Sequence, residues 1–501
     1  MPVRLRWILG PLLALAAVLP FVGKPVHIDD ANFLVLARGA AADAWRPHAL
    51  TINWQGTTER AFDVLSNPPG IGWWLGPVHD ASATVQHLWM LPWLALVMFG
   101  AARLGREFLD DAPAGMLLLG TAPVVVLSGQ ALAPDLPLYA CTLAGVGGFL
   151  TARRHAWAFA LLAGAAALFR YSGICLIPLL LLAGWQRGRL RQAWPVAIPI
   201  LTLALHDLHA YGQVHLVAMG SFQSVSNTGW DVFRKGAAAL AMLGGVGLLP
   251  VLTARRGGGR FGALVGAVIG VPAAILSEQS GVGFAMTVAC CMAGGMALFA
   301  HRWRHADDRL LTCWALGGLV FLLSLRFTAA RYWLPFVAAP ILAAGRFGLD
   351  RRLLAAAVGA NLLLGVALSY DDYRFAKAHE EAAARVGPGP GTFAGHWGWQ
   401  HHLEAAGWTA LEDDGTPAQR HVEALAPWPQ QPAEGTCMNE IERFAIEDHN
   451  PGPRTHTAEG FANLHAYVVA GDPPVETYAP WSFSDEAYET VVIWERCDGA
   501  R

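Results

Sequence analysis

Two adjacent carboxylates, Asp29 and Asp30, stand in His27-Ile28-Asp29-Asp30, directly after the first long apolar run of the chain. A carboxylate at a membrane exit can take a proton from a nucleophile or hold a divalent cation. The same pair can also do no chemistry, because Asp favours the N-cap and first turn of a helix, and the helix candidate Ala31–Ala42 follows. Asn67-Pro68-Pro69 precedes Gly70-Ile71-Gly72-Trp73-Trp74; a proline pair fixes the backbone ahead of a helix, or is an ordinary turn. Asp135, in Pro134-Asp135-Leu136-Pro137, borders the hydrocarbon, where an acid is expensive unless it is paired, functional or capping a helix. Arg170, Arg326 and Arg331 each lie beside an apolar run. Arginine can clamp a phosphate through paired N–H donors or snorkel toward the interface.

The elements that must position these residues are membrane spans. Of 501 residues, 54% are hydrophobic and 15% charged, against about 25% charged in ordinary soluble domains. Mean hydropathy is +0.36. Apolar stretches near the ~17–25 residues needed to cross a bilayer recur through the first 370 residues. They fall roughly at 7–23, 85–102, 113–129, 136–152, 156–169, 172–185, 193–208, 236–253, 261–277, 282–300, 310–325, 332–345 and 353–369, about thirteen in all. The first follows Arg4 and Arg6 like a signal peptide, but with no small-residue cleavage site it reads as an uncleaved helix.

Topology follows from the basic residues in the loops. With the N-terminus inside, the cytoplasmic segments hold 18 Lys and Arg and the opposite side 9. Every inside segment has at least two, and an odd number of spans leaves residues 371–501 outside. Arg170, Arg326 and Arg331 are exceptions on the outer side. The first outer loop, 24–84, is long; in it Ala31–Ala42 reads as an amphipathic helix on the membrane surface and Val64–Val78 as interfacial.

Residues 1–370 carry 27 Lys and Arg against 16 Asp and Glu, and residues 371–501 carry 8 against 22, so a basic membrane body precedes an acidic soluble tail. Basic residues in short loops, on no common face, do not make a nucleic-acid binder. The tail opens with the helix candidate Asp371–Val386 and a Pro/Gly break at Gly387–Gly391. A helix candidate at Trp399–Ala406 and strand-like runs at Tyr467–Ala470 and Thr490–Trp494 follow, giving a small α/β domain. Its two cysteines, Cys437 and Cys497, face an oxidising compartment on this topology. They are expected to close a disulfide loop, with two independent buried thiols as the alternative. The other five cysteines lie in apolar spans, and no Cys/His metal spacing occurs.

Taken in order, these elements resemble the GT-C glycosyltransferases, in the branch of the protein O-mannosyltransferases and the aminoarabinose transferase that modifies lipid A. Asp29-Asp30 with Phe33 resembles that family's acidic pair in the first outer loop. Asn67-Pro68-Pro69 is similar to its basic-Pro-Pro element, Asp135 to the acid opening its fourth span, Arg170 to a basic residue between the fifth and sixth, and Arg331-Tyr332-Trp333-Leu334-Pro335 to its late Arg-Tyr-x-x-Pro. The tail segment Gly395–Gln400 also looks like outside domains of bacterial members.

The resemblance implies a polytopic α-helical membrane fold over residues 1–370 with a small extracytoplasmic α/β domain over 371–501. It implies inverting transfer of a sugar from a polyprenyl-phosphate donor to a lipid, glycan or protein acceptor at the periplasmic face of the inner membrane. Asp29 would be the base; Arg331, Arg170 and Arg326 would meet the donor phosphate. Asp30 and Asp135 would orient the acceptor or hold a divalent cation such as Mg2+ or Mn2+, although some relatives need no metal. His27, Asn67 and Tyr332 would complete the substrate site. Two departures stand out: the second acid is Asp instead of Glu, and Asn67 replaces a basic residue, so a phosphate contact is missing or comes from elsewhere.

Three other readings fit a polytopic chain. A transporter would place charges or broken helices near the bilayer midplane, whereas the ionisable residues here gather at the outer face. A glycan polymerase or ligase would carry its key residues in a large late outer loop, whereas the long loop here comes first. A non-catalytic envelope protein would have no need of the carboxylates and arginines.

Overall fold

The computed structural model describes residues 3–54, 56–223, 306–325, 327–346, 350–413, 415–426, 436–448, 450–456, 464–465, 467–468 and 480–497, with scattered positions between 232 and 268. Arg326 lies outside the described residues, as do the expected spans 236–253, 261–277 and 282–300 apart from those scattered positions. Among the described residues, three helices are long and apolar enough to cross a membrane, with segments Arg4–Phe21, Ala83–Leu109 and Arg351–Val386.

The body is a helical bundle with one continuous apolar core. Helix α1 (Val3–Val18) is followed by α2 (Asp30–Ala42) in the first outer loop, then α3 (Ala83–Leu109), α4 (Ala112–Gly120), α5 (Pro123–Ser128) and α6 (Asp135–Thr151). Helix α6 is buried along its length and packs against α3. The single span expected at 113–129 is two helices, α4 and α5. Pro123 has no N–H and pushes Ala122 into extended backbone (φ −56°, ψ 137°), which ends the first helix.

Helix α2 is where expected but not lying on the surface. Ten of its thirteen residues are buried, including Phe33 and Leu36 at 0% exposure. A helix apolar on nearly all sides belongs inside a protein. It is covered on one side by the short helix Gly70–Leu75 and on another by a tail helix, Trp397–Ala405. Each fully buried Phe or Leu contributes about 1.5–3 kcal/mol, so protein packing holds this helix.

The last apolar span and the first tail helix are one element, a helix of 36 residues, Arg351–Val386. At 1.5 Å per residue it is about 54 Å long, against a hydrocarbon core of about 30 Å. It therefore runs well past any bilayer it crosses, into the acidic tail. There its end, at Ala382, Ala383 and Val386, packs on a mixed five-stranded sheet. The sheet contains Thr392–Ala394, Thr409–Ala410, Arg420–Ala424, Met438–Ile446 and Glu489–Arg496. The first of these runs parallel to the next two; Glu489–Arg496 lies antiparallel between Arg420–Ala424 and Met438–Ile446. Cys437 and Cys497 are joined by a disulfide at one end of that last pair, where Cys497 N–H donates to the Cys437 carbonyl at 3.0 Å.

The tail also reaches back to the body. Strand Phe327–Thr328 pairs antiparallel with Tyr467–Val468, and Ala330 N–H donates to the Leu464 carbonyl at 3.2 Å. Gly398 faces the chain before His27 so closely that a Cβ there would meet the Val26 carbonyl oxygen at 2.3 Å. Residues on both sides of the candidate site are thus held by the tail.

Candidate active site

Asp29 occupies the N-cap position of α2, yet its side chain makes no capping hydrogen bond. Its carboxylate accepts from the Arg331 guanidinium instead. Asp30 does not cap either: one oxygen accepts from Leu132 N–H at 3.0 Å, and the other is buried with no hydrogen-bond partner. The backbone between His27 and Asp29 is strained, because Ile28, β-branched and buried, sits at φ +46°. Such a conformation costs of order 1–3 kcal/mol and persists only where its surroundings impose it. It lies between two side chains that go to different partners.

Arg331 belongs to a 3-10 turn, Ala330–Trp333, before the helix Leu334–Gly345. Arg170 follows the short turn Ala166–Leu168. Gly70, after the Pro pair, is packed so tightly on this turn that a Cβ would lie 2.3 Å from the Leu168 carbonyl oxygen. Arg170 meets Asp135 at the start of α6 through a hydrogen bond of 3.0 Å and a second N···O contact of 2.9 Å. The ring of Tyr332 links the two pairs: the Arg170 guanidinium is 4.9 Å and the Arg331 guanidinium 5.9 Å from its centroid. Side-chain exposure is 9% for Arg170, 2% for Asp135, 10% for Arg331 and 23% for Asp29, so of these two carboxylates Asp29 is the more open.

Electrostatics follow from this geometry. Burial alone would push the Asp29 carboxyl up, but Arg331, by charge and hydrogen bond, with Arg170 and His465 behind it, holds it below its ordinary value. Asp30 has no such partner, and burial pushes it up to about 7. Two cations and two anions around one ring balance without a ligand. An incoming anion would have to draw a guanidinium away from its carboxylate. With Arg170 on both oxygens, Asp135 does not offer itself to a metal in this arrangement.

Of the residues singled out in the sequence, the structure brings together Asp29, Arg331, Tyr332, Arg170 and Asp135. His27 is elsewhere: its Nε2 donates to Asp372 at 3.1 Å, beside Lys24 and His465. The Asn67 carbonyl accepts from His48 Nε2 at 2.9 Å. Among the described residues, the group of His and Asp side chains with metal-ligand spacing is His27, Asp372 and His465, and does not include Asp30 or Asp135.

In backbone course the chain is similar to two GT-C-fold glycosyltransferases. One is the oligosaccharyltransferase of Archaeoglobus fulgidus in the apo form: 13% identity over 81% of this chain and 64% of that one, TM-score 0.44. The other is ArnT from Cupriavidus metallidurans bound to undecaprenyl phosphate: 16% identity over 84% of this chain and 93% of that one, TM-score 0.41. The chain spans less than two thirds of the oligosaccharyltransferase's length. No protein-family model and no curated protein matches it.

Several residues around the site gave no signal in the sequence. Asp371 and Asp372 open the helix candidate Asp371–Val386 of the tail, and both are buried and hold tail segments. Asp371 pairs with Arg454 at 2.9 Å and accepts from the Tyr488 hydroxyl at 2.6 Å. Asp372 accepts from Lys24 at 2.8 Å across 348 residues of sequence, a separation that no local spacing encodes. The one legible hint was an acidic pair directly beyond the last apolar span.

Proposed function

We propose that this chain is a membrane glycosyltransferase of GT-C type, moving a sugar from a polyprenyl-phosphate donor to a lipid, glycan or protein acceptor with inversion. The observation that supports this reading best is the pair of buried arginines, Arg170 and Arg331, flanking Tyr332 beside the partly open Asp29. Buried guanidiniums suit a phosphate, because their planar forks match its oxygens.

The chemistry balances on these groups. The acceptor oxygen or nitrogen attacks the anomeric carbon from the face opposite the phosphate. Its proton passes to the Asp29 carboxylate. The bond between the anomeric carbon and the phosphate oxygen breaks, and the electron pair leaves with the lipid phosphate, whose charge falls to Arg331 and Arg170. Donor binding would also prepare the base: a phosphate that takes Arg331 removes the charge holding the Asp29 carboxyl low, and its proton affinity rises. Asp30 and Asp135 orient the acceptor and the arginines.

On this reading residues 1–370 are the catalytic membrane body, with about thirteen spans and a cytoplasmic N-terminus. Residues 371–501 lie outside the cytoplasm. Mass spectrometry of envelope glycans and lipid A, with and without the protein, tests the function. The reading expects one sugar modification to vanish and return with the wild-type gene; unchanged glycans and lipid A would oppose it.

A further inference from the structure

We propose that His27, Asp372 and His465 hold a transition-metal ion of the zinc class, separate from the arginine–carboxylate cluster. The inference goes beyond the transferase reading and does not rest on it.

The two imidazoles converge on one atom. His27 Nε2 lies 3.1 Å and His465 Nε2 2.8 Å from the same Asp372 Oδ1. One potential ligand atom from each of the three residues lies within 4.8 Å of the others. Zinc takes His nitrogen at about 2.0–2.1 Å and carboxylate oxygen at about 2.0–2.2 Å, so small outward movements would seat an ion among them. Two imidazoles and one carboxylate suit zinc and its neighbours rather than magnesium or calcium, which prefer all-oxygen sets.

The surroundings fit an ion as well. Lys24 Nζ donates to the other oxygen, Asp372 Oδ2, at 2.8 Å. It thereby fixes the carboxylate and leaves Oδ1 turned to the histidines, as an outer partner of a metal ligand does. His27 and Asp372 are 3% and 1% exposed, so the ligand atoms converge inside the protein. Asp30, within electrostatic reach of Lys24 and Asp372, carries the buried oxygen without a hydrogen-bond partner. Its ionisation would offset added positive charge. The ligands come from the first outer loop, the middle of the long helix and the tail, so one ion would tie three distant segments together two residues from Asp29. The opposing account is a metal-free network, in which both imidazoles donate to Asp372 and Lys24 is its only cation.

Full-length protein, purified in detergent and stripped with chelator, is reloaded with Zn2+ and desalted. Metal content is then read by elemental analysis, and thermal unfolding with Zn2+ and with Mg2+. The site predicts about one zinc retained per chain and an unfolding midpoint raised by Zn2+ and not by Mg2+. His465→Gln and Asp372→Asn should lower retention several-fold or more. Wild-type protein that retains no zinc and shows no shift in midpoint would overturn the proposal without reference to any variant. Undiminished zinc in a folded His465→Gln protein would place the metal elsewhere and overturn it equally.

Discussion

The carboxylate of Asp29 is bound to the guanidinium of Arg331, 302 residues later in the chain, and not to the N–H groups of the helix that Asp29 begins. The base and the phosphate clamp of the proposed reaction therefore hold each other until a donor arrives. An ion pair at this depth is retained at the expense of desolvation, which is why removing either partner should matter more than at a surface.

Arg331→Lys tests the clamp. The substitution keeps the charge but replaces a planar fork with a point charge. Loss of one such contact in a dry site corresponds to about 2–4 kcal/mol of transition-state stabilisation. Steady-state transfer should fall roughly 30- to 1,000-fold at equal expression. A Lys variant that turns over like wild type would make Arg331 an interfacial anchor.

Asp30 gives a prediction in pH. Its carboxyl titrates near 3.8 when exposed and at about 7 in the folded protein. Between those values the folded chain holds a proton that the unfolded chain has released, so this group's contribution to stability falls as pH rises and is lost fully above about 7. Asp30→Asn removes that loss. The variant should gain stability over wild type between pH 5 and 8, by at most about 4 kcal/mol. His27, lowered by burial to about 3, has the opposite pH dependence, but it is present in both proteins and cancels. Denaturant unfolding in chelator at both pH values checks this; an unchanged difference would contradict it.

The disulfide between Cys437 and Cys497 spans 60 residues. In the chain-entropy account, closing such a loop contributes roughly 4 kcal/mol. Reduction, or replacement of both residues by Ser, should lower the stability of the tail by that order. Complete alkylation of both thiols in unreduced, unfolded protein would show that no bond forms.

Much of this was legible in the sequence, but unevenly. Asp29, Asp135, Arg170 and Arg331 stand out because a charge beside an apolar run is expensive and needs a reason. The helix at Ala31–Ala42 was legible as an amphipathic stretch; its burial was not, because the covering helices come from residues 70–75 and 397–405. His27 was grouped with its neighbours Asp29 and Asp30, as adjacency suggests. The positive φ of Ile28 turns that part of the chain, and His27 joins Lys24, Asp372 and His465. A backbone turn of this kind leaves no periodicity to read.

Topology is open to direct measurement. Reporters fused after Arg189 and after Val386 should report opposite sides of the membrane, the first cytoplasmic and the second outside. Same-side results would remove the tail and the arginine cluster from the donor's side and end the proposed reaction.

The central claim is that Asp29 accepts the acceptor's proton. Asp29→Asn keeps the size of the side chain and removes its basicity. Had Asp29 been a cap, Asn would replace it almost without loss, since the two cap helices about equally well. The decisive measurement is the sugar-transfer rate of purified Asp29→Asn protein against wild type, at matched folding and matched donor binding. The account predicts a fall of about 10²–10⁴. A variant that folds, binds donor and transfers sugar at the wild-type rate would contradict it.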